Sequence, residues 1–187
     1  MFRNYFKKFL GVFTFAFVFG CGNYAYALDD SDSCAVVVFS PNGHTRNIAK
    51  TIAEYLNAPL MEIQPKDAYT SEDLNYRVDN SRAVKESQDA KIRPEIRNEL
   101  RQVLKYDNIF IGSPIWFRKN PRIIQTFLDT YNLKNKNLYF FVTSGGTPIY
   151  HYMEAIKSYY PDLNIKDSKR FRQDESKGMI VRWVEDL

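Results

Sequence analysis

Residues 35–49 read Ala35-Val36-Val37-Val38-Phe39-Ser40-Pro41-Asn42-Gly43-His44-Thr45-Arg46-Asn47-Ile48-Ala49. A continuous apolar run ends in a short polar loop and passes directly into a stretch with helical spacing. The pattern predicts a strand–loop–helix unit, which offers backbone N–H groups and a helix N-terminus to a phosphate. Ser40, Asn42 and Thr45 add side-chain hydrogen-bonding groups, and Gly43 lets the backbone approach closely. The loop holds no Lys, so it is not the nucleoside-triphosphate pattern G-x-x-x-x-G-K-[ST], and the dinucleotide pattern G-x-G-x-x-G is also absent. Such a loop suits a single phosphate, held largely by neutral donors.

Outward from this unit, strand and helix patterns alternate. A strand over 34–39 is apolar on both faces, as a central parallel strand is. The helix after it carries Ile48, Ile52 and Leu56 at i, i+4, i+8 with Ala49 and Ala53 beside them. A short strand over 60–63 ends before Pro65. Residues 64–94 are polar and charged, with a helical turn expected at 71–76 and a helix near 80–88. Pro94 is expected to open a helix whose core face is Ile96, Leu100, Val103 and Leu104. A strand over 108–112 runs into Ser113-Pro114-Ile115-Trp116-Phe117. Asn120-Pro121 reads as an N-cap and first helical position, followed by apolar Ile123, Ile124, Phe127, Leu128 and Tyr131. A strand over 138–142 ends at Thr143-Ser144-Gly145-Gly146-Thr147. A helix with Ile149, Tyr152, Met153 and Ile156 stops at Pro161. A weak strand near 164–166 and a helix around Ile180, Trp183, Val184 and Leu187 complete the pattern.

This alternation predicts an α/β domain with a parallel sheet covered by helices on both faces. Ligands of such sheets sit beyond the carboxyl ends of the strands, where the strand order reverses. The loops 40–45, 113–118 and 143–148 all follow strands and meet that description. The first suits a phosphate, the second offers the planes of Trp116 and Phe117, and the third is a small-residue turn. Together they suit a phosphate joined to a flat ring system.

With 187 residues, 44% of them apolar and 16% aromatic, the chain has the composition of one folded domain. Its formal charge of +4 points weakly to nucleic acid, but Arg3, Lys7 and Lys8 lie in an acid-free N-terminal segment. Residues 28–187 keep 23 of the 26 basic side chains against 22 acidic ones, a near-neutral balance that argues against nucleic acid as a partner. The N-terminal segment itself reads as an export signal. Its basic start precedes an apolar run from Phe9 to Gly20, shorter than the about 20 residues of a membrane span, and Ala25-Tyr26-Ala27 is a suitable cleavage site. Val18-Phe19-Gly20-Cys21 also resembles a bacterial lipobox, so two processing routes are open: cleavage after Ala27 or lipidation of Cys21. The organisation expected is therefore a signal peptide at 1–27, a short lead-in at 28–33 and one domain over 34–187. The location expected is periplasmic or otherwise extracytoplasmic, with membrane attachment only through a lipid at Cys21.

At this point the residues resemble a flavodoxin. Ser40-Pro41-Asn42-Gly43-His44-Thr45 is similar to the family's phosphate loop S/T-x-T-G-N-T. Gly112-Ser113-Pro114-Ile115-Trp116-Phe117 resembles the G-x-P-I-W-x of its longer-insert bacterial branch, and Thr143-Ser144-Gly145-Gly146-Thr147 resembles that branch's third loop. The resemblance covers about residues 34–187. It implies a three-layer sandwich whose five-stranded parallel sheet has the order 2-1-3-4-5, the order that general accounts of doubly wound sheets quote for flavodoxin itself. It also implies FMN as cofactor. By position, Ser40, Asn42, Gly43, His44 and Thr45 would cradle the phosphate, and Pro114, Ile115, Trp116 and Phe117 would border the isoalloxazine, with Trp116 or Phe117 against one face. Thr143, Ser144, Gly145, Gly146 and Thr147 would meet its pyrimidine edge through backbone N–H groups. Asn42 stands where the family usually has Thr, and His44 where it usually has Asn. An imidazolium at His44 would favour phosphate at lower pH.

Three functions follow. The first is an exported FMN protein that transfers electrons to or from a redox partner protein. The second is an FMN-dependent NAD(P)H:quinone-type reductase acting on a small oxidant, with Phe117-Arg118-Lys119-Asn120 near the dinucleotide phosphates. The third is a flavin-free binding or scaffold module. His44 and His151, the two histidines, have no metal-ligand spacing, and the G-x-S-x-G hydrolase elbow is absent.

Overall fold

A computed structural model describes residues 33–187; the export segment 1–27, the lipobox within it and the lead-in up to residue 32 lie outside the described residues. Five strands, β1 (Cys34–Val38), β2 (Leu60–Glu62), β3 (Asn108–Pro114), β4 (Asn137–Thr143) and β5 (Ile165–Phe171), form one sheet of order β2-β1-β3-β4-β5. Every neighbouring pair is parallel. The helices are α1 (His44–Leu56), α2 (Arg82–Gln88), α3 (Arg122–Thr130), α4 (Tyr150–Tyr159) and α5 (Lys177–Glu185), with a 3₁₀ helix at Arg101–Lys105. The expected three-layer order is therefore present.

The apolar runs of β1, β3 and β4 feed both faces by strand alternation. Val37, Ile109, Ile111, Phe140 and Val142 pack with Phe127 of α3 and Tyr152 and Ile156 of α4. Val36, Val38, Phe110, Tyr139 and Phe141 pack instead with Ile48 and Ile52 of α1 and Ile180 and Trp183 of α5. Gly112 sits where this second face is tightest. It is registered against Phe141, and a methyl at its Cα would stand 2.2 Å from the Phe141 ring.

Three elements differ from the sequence expectation. Residues 95–98 are not helical, because their backbone pairs with the segment after β2. Ile96 forms an antiparallel bridge with Pro65, Lys66 N–H donates to Glu95 O at 2.8 Å, and Arg97 N–H donates to Gln64 O at 2.7 Å. Only the 3₁₀ turn survives of the expected helix. It starts where the Glu99 carboxylate accepts from the N–H groups of Leu100 and Arg101, and Leu100 and Val103 remain buried. Asn120 does not cap α3, which begins at Arg122 with no side-chain cap; its first turn is closed by Ile124 N–H donating to Pro121 O at 3.0 Å. Finally, β5 is seven residues long rather than a weak triplet. It is an edge strand whose backbone bonds to β4 carry it, so its outer positions are free to be Lys166, Asp167 and Lys169.

The charged excursion between β2 and β3 is anchored rather than loose. Glu86 of α2, 4% exposed, accepts from Arg82 Nε at 2.7 Å and from Tyr69 OH at 2.7 Å. Arg82 also lies over the Tyr69 ring, 3.9 Å from its centroid. From α3, the buried Arg122 donates to Glu86 O at 2.8 Å and to Ser87 O at 3.3 Å, at the C-terminal end of α2. Among the described residues no helix is long and apolar enough to cross a membrane.

The glycine contact predicts an asymmetric pair of substitutions. Gly112→Ala should lose about 1–3 kcal/mol by overpacking. Gly145→Ala, where an added Cβ meets nothing within 4 Å, should stay within about 0.5 kcal/mol of the parent. Urea denaturation of both variants checks the difference.

Candidate functional site

The loops after β1, β3 and β4 emerge side by side, because these strands are neighbours in register, with Val38 opposite Gly112 and Pro114 opposite Thr143. In the first loop, Gly43 adopts φ 81°, and its N–H donates to Ser40 O at 3.2 Å. Space is not what requires glycine here, since an added Cβ would meet only Arg46 Nη1 at 3.9 Å; the left-handed backbone is. Gly43 occupies the N-cap of α1, so no side chain covers the helix end at that position. Ser40 Oγ reaches forward to accept the Arg46 N–H at 3.0 Å. Among the described residues nothing accepts from the N–H groups of Asn42, His44 or Thr45. Those groups, at the positive end of the helix dipole, are what an anion requires.

The side chains of this loop divide into two sets. Ser40 and Thr45 are buried and hold the loop in place, Thr45 by a 2.7 Å hydroxyl contact with Thr143 at the end of β4. Asn42 and His44 are exposed. Arg46, the nearest cation on the helix, is paired with Glu62 at the end of β2, with Nε 2.6 Å from one carboxylate oxygen and Nη2 2.8 Å from the other. The cradle is thus built from neutral donors.

The second loop is a two-residue hairpin. Trp116 N–H donates to Lys119 O at 3.0 Å, and Lys119 N–H donates to Trp116 O at 2.8 Å. The two residues between them, Phe117 and Arg118, have φ 48° and 67°. Positive φ at both central positions is the type I′ geometry, normally given to Asn or Gly. Each of these side chains in the left-handed region costs about 1 kcal/mol. The hairpin separates the two aromatic planes. Trp116 is half-buried and packs edge-on against Phe39 (centroids 5.6 Å apart) and Tyr69 (5.2 Å), whereas Phe117 is 41% exposed at the tip. Ile115 N–H donates to Thr143 O at 3.1 Å, and Pro114 and Ile115 are half-buried. Beneath the loop, Ser113 Oγ lies 2.8 Å from the hydroxyl of the fully buried Tyr152, whose burial pushes its pKa well above the ordinary phenol value.

The third loop spends most of its own donors. Ser144 Oγ accepts from Gly146 N–H at 3.3 Å and Thr147 N–H at 2.8 Å, and Ser144 N–H donates to Phe171 O at 3.1 Å. Of the five residues expected to offer N–H groups, Ser144, Gly146 and Thr147 use theirs to shape the turn. Gly145 stands exposed beyond it, with open space around its Cα.

The structure thus brings all three predicted loops to one edge. It adds contacts that sequence spacing did not predict. Arg118, at the hairpin tip, contacts His151 in the first turn of α4, and the exposed Tyr150 ring stands beside His151 at 5.2 Å. Glu86 and Arg122 form the wall behind Trp116, lining with it a void of about 10 Å³, roughly the room of one water. A wider, open depression of about 460 Å³ lies at the opposite end of the sheet, by Lys50, Glu54 and Asn57, away from all three loops.

Comparison with known proteins agrees with this fold. The flavodoxin family model matches residues 33–187. A solved, provisionally assigned flavoprotein of Bacteroides uniformis is 32% identical, with a TM-score of 0.79, covering 82% of this chain and 98% of its own. A similar protein of Bacteroides eggerthii is 35% identical, with a TM-score of 0.78, covering 83% and 97%. A flavoprotein of Lactobacillus acidophilus, solved in complex with FMN, is 26% identical with a TM-score of 0.64, covering 75% and 93%. No curated protein matches the chain.

The Thr45–Thr143 hydroxyl pair predicts non-additive substitutions. Thr45→Val and Thr143→Val should each cost about 1 kcal/mol, by stranding the buried partner hydroxyl. The double variant should cost clearly less than the two together. A double-mutant cycle in urea reads that coupling directly.

Proposed function

The chain belongs to the flavodoxin family, and on that premise we propose that it binds FMN across these three loops and serves as an electron-transfer protein. The observation that carries the reading is the glycine-capped N-terminus of α1, whose N–H groups at Asn42, His44 and Thr45 have no acceptor among the described residues. A phosphate monoester fits that cradle, and an aromatic ring joined to it fits between the hairpin of the second loop and the turn of the third. The FMN complex of the Lactobacillus acidophilus flavoprotein supports the choice of flavin.

The FMN would supply the redox chemistry. The chain's own residues bind and orient it. Asn42, His44 and Thr45 hold the phosphate end through backbone N–H groups, while Ser40 and Thr45 hydroxyls keep the loop in shape. Phe117 or Trp116 lines one side of the ring, and the backbone of Gly145 offers a donor at its edge. The electron partner is a redox protein or a small oxidant such as a quinone, meeting the ring edge near the exposed Phe117 and Tyr150. The basic, apolar and small-residue pattern of residues 1–27 supports export.

Flavin fluorescence titration of the purified protein tests the cradle. FMN should bind at least about ten-fold tighter than riboflavin, the worth of a single hydrogen bond to a charged group at the low end of its range. Gly43→Val, which disfavours the φ of the cap, should erase most of that preference while leaving riboflavin affinity nearly unchanged. Equal affinity for the two flavins, or no quenching at high micromolar FMN, would defeat the reading. Assay with NAD(P)H and a quinone then separates a carrier from a reductase, which alone would show steady turnover. Mass spectrometry of the exported protein should find Leu28 first, or an acylated Cys21.

A further inference from the structure

We propose that Arg118 and His151 form a clasp between the second loop and the first turn of α4, which follows the third loop, and that the clasp holds only while His151 is neutral. The inference rests on the flavin-binding reading for its purpose, since the second loop and the third loop leading into α4 are those proposed to border the ring. Arg118 Nη2 meets His151 Nε2, and on the other side of the imidazole Nδ1 lies 3.4 Å from Glu154 Oε2. A guanidinium can only donate. Nε2 must therefore be the bare, accepting nitrogen, which puts the ring proton on Nδ1, facing the Glu154 carboxylate. The charged and titratable groups facing this imidazole are Arg118 from the hairpin and Glu154 and Tyr150 from α4.

The backbone explains why a clasp is needed at this point. Phe117 and Arg118 both hold positive φ, in a two-residue turn that contains no Gly or Asn to make it easy. An outlier of this kind persists where the surroundings over-determine it. The two ladder bonds between Trp116 and Lys119 close the base of the hairpin, and the Arg118 contact ties its tip to α4. Phe117 and Tyr150, the residues adjoining the clasped pair, are left exposed at 41% and 64%. Arg118 and His151 thus act as positioning residues that set how far these two rings stand apart. Protonation of Nε2 would replace the acceptor by a second cation facing the guanidinium, and the tip would be released.

The clasp can be read without flavin. With two histidines in the chain, long-range ¹H–¹⁵N spectra of the purified protein, assigned with His44→Gln, report the tautomer of His151. The expected result at pH 8 is the Nδ1–H tautomer, reverting to the solution-preferred Nε2–H form in Arg118→Ala. An Nε2–H tautomer in the parent, or no response to Arg118→Ala, overturns the clasp. Its positioning role is then read from riboflavin, which lacks the phosphate and so removes His44 from the comparison. Riboflavin affinity should fall about five-fold in Arg118→Ala, the size of one hydrogen bond of ordinary net strength, and by a similar factor in the parent between pH 8 and pH 5.5. His151→Gln, whose amide oxygen can accept from Arg118 without titrating, should keep the pH 8 affinity at both values. Unchanged affinity in Arg118→Ala, or a pH response that survives His151→Gln, overturns the positioning role. A parent protein that binds no flavin removes the proposed function and this role with it, while the nitrogen spectra still decide whether the clasp exists.

Discussion

The parallel register of β1, β3 and β4 is the constraint on which the rest of the structure depends. These strands are buried on both faces, so a slip of one residue would exchange the side chains packed against α1 and α5 with those packed against α3 and α4. Phe141 lying over Gly112 makes the slip worse, because that ring fits only where the neighbouring strand has no Cβ. With the register set, the strand ends are set as well. Val38, Gly112 and Thr143 bring their loops to one edge, and the Thr45–Thr143 hydroxyl contact ties the first loop to the end of β4.

The site inherits its chemistry from what the loops leave over after satisfying themselves. Buried backbone groups must find partners, and here Ser40 and Ser144 supply much of that need from their hydroxyls. In the first loop, among the described residues, the donors that remain are those of Asn42, His44 and Thr45. They lie at a helix terminus and carry no formal charge, and Arg46 is withheld by Glu62. A phosphate bound there would be held by direction rather than by countercharge, which favours one geometry over loose ionic attraction.

How much of this could be read from the sequence depends on whether a signal was local. The run Ala35–Val38 followed by a Gly-containing polar loop and Ile48, Ile52 is local, and it located β1, α1 and the cradle. The three loops were legible for the same reason. The segment after Pro94 misled because Ile96, Leu100, Val103 and Leu104 have helical spacing while the backbone of 95–97 bonds to 64–66, some 30 residues away in the chain. β5 was understated because an edge strand takes its stability from ladder bonds that composition does not reveal. The hairpin at Phe117-Arg118 gave no turn signal, since neither residue is a usual type I′ former. Nothing in spacing links Arg118 to His151 or Arg122 to the end of α2.

Those last contacts give the wall behind Trp116 an electrostatic character. Glu86 is answered by Arg82 and Tyr69, so the carboxylate and one guanidinium cancel. Among the described residues no carboxylate pairs with the buried Arg122; the carbonyls of Glu86 and Ser87 and the Gln125 side-chain oxygen accept its hydrogen bonds. Carbonyls at the C-terminal end of a helix stabilise a cation without neutralising it. One positive charge is therefore kept behind an aromatic wall, screened from solvent by Trp116 and the excursion. The excursion between β2 and β3 thus contributes more than cover. By placing α2 over Arg122, it lets the fold keep a buried cation behind Trp116.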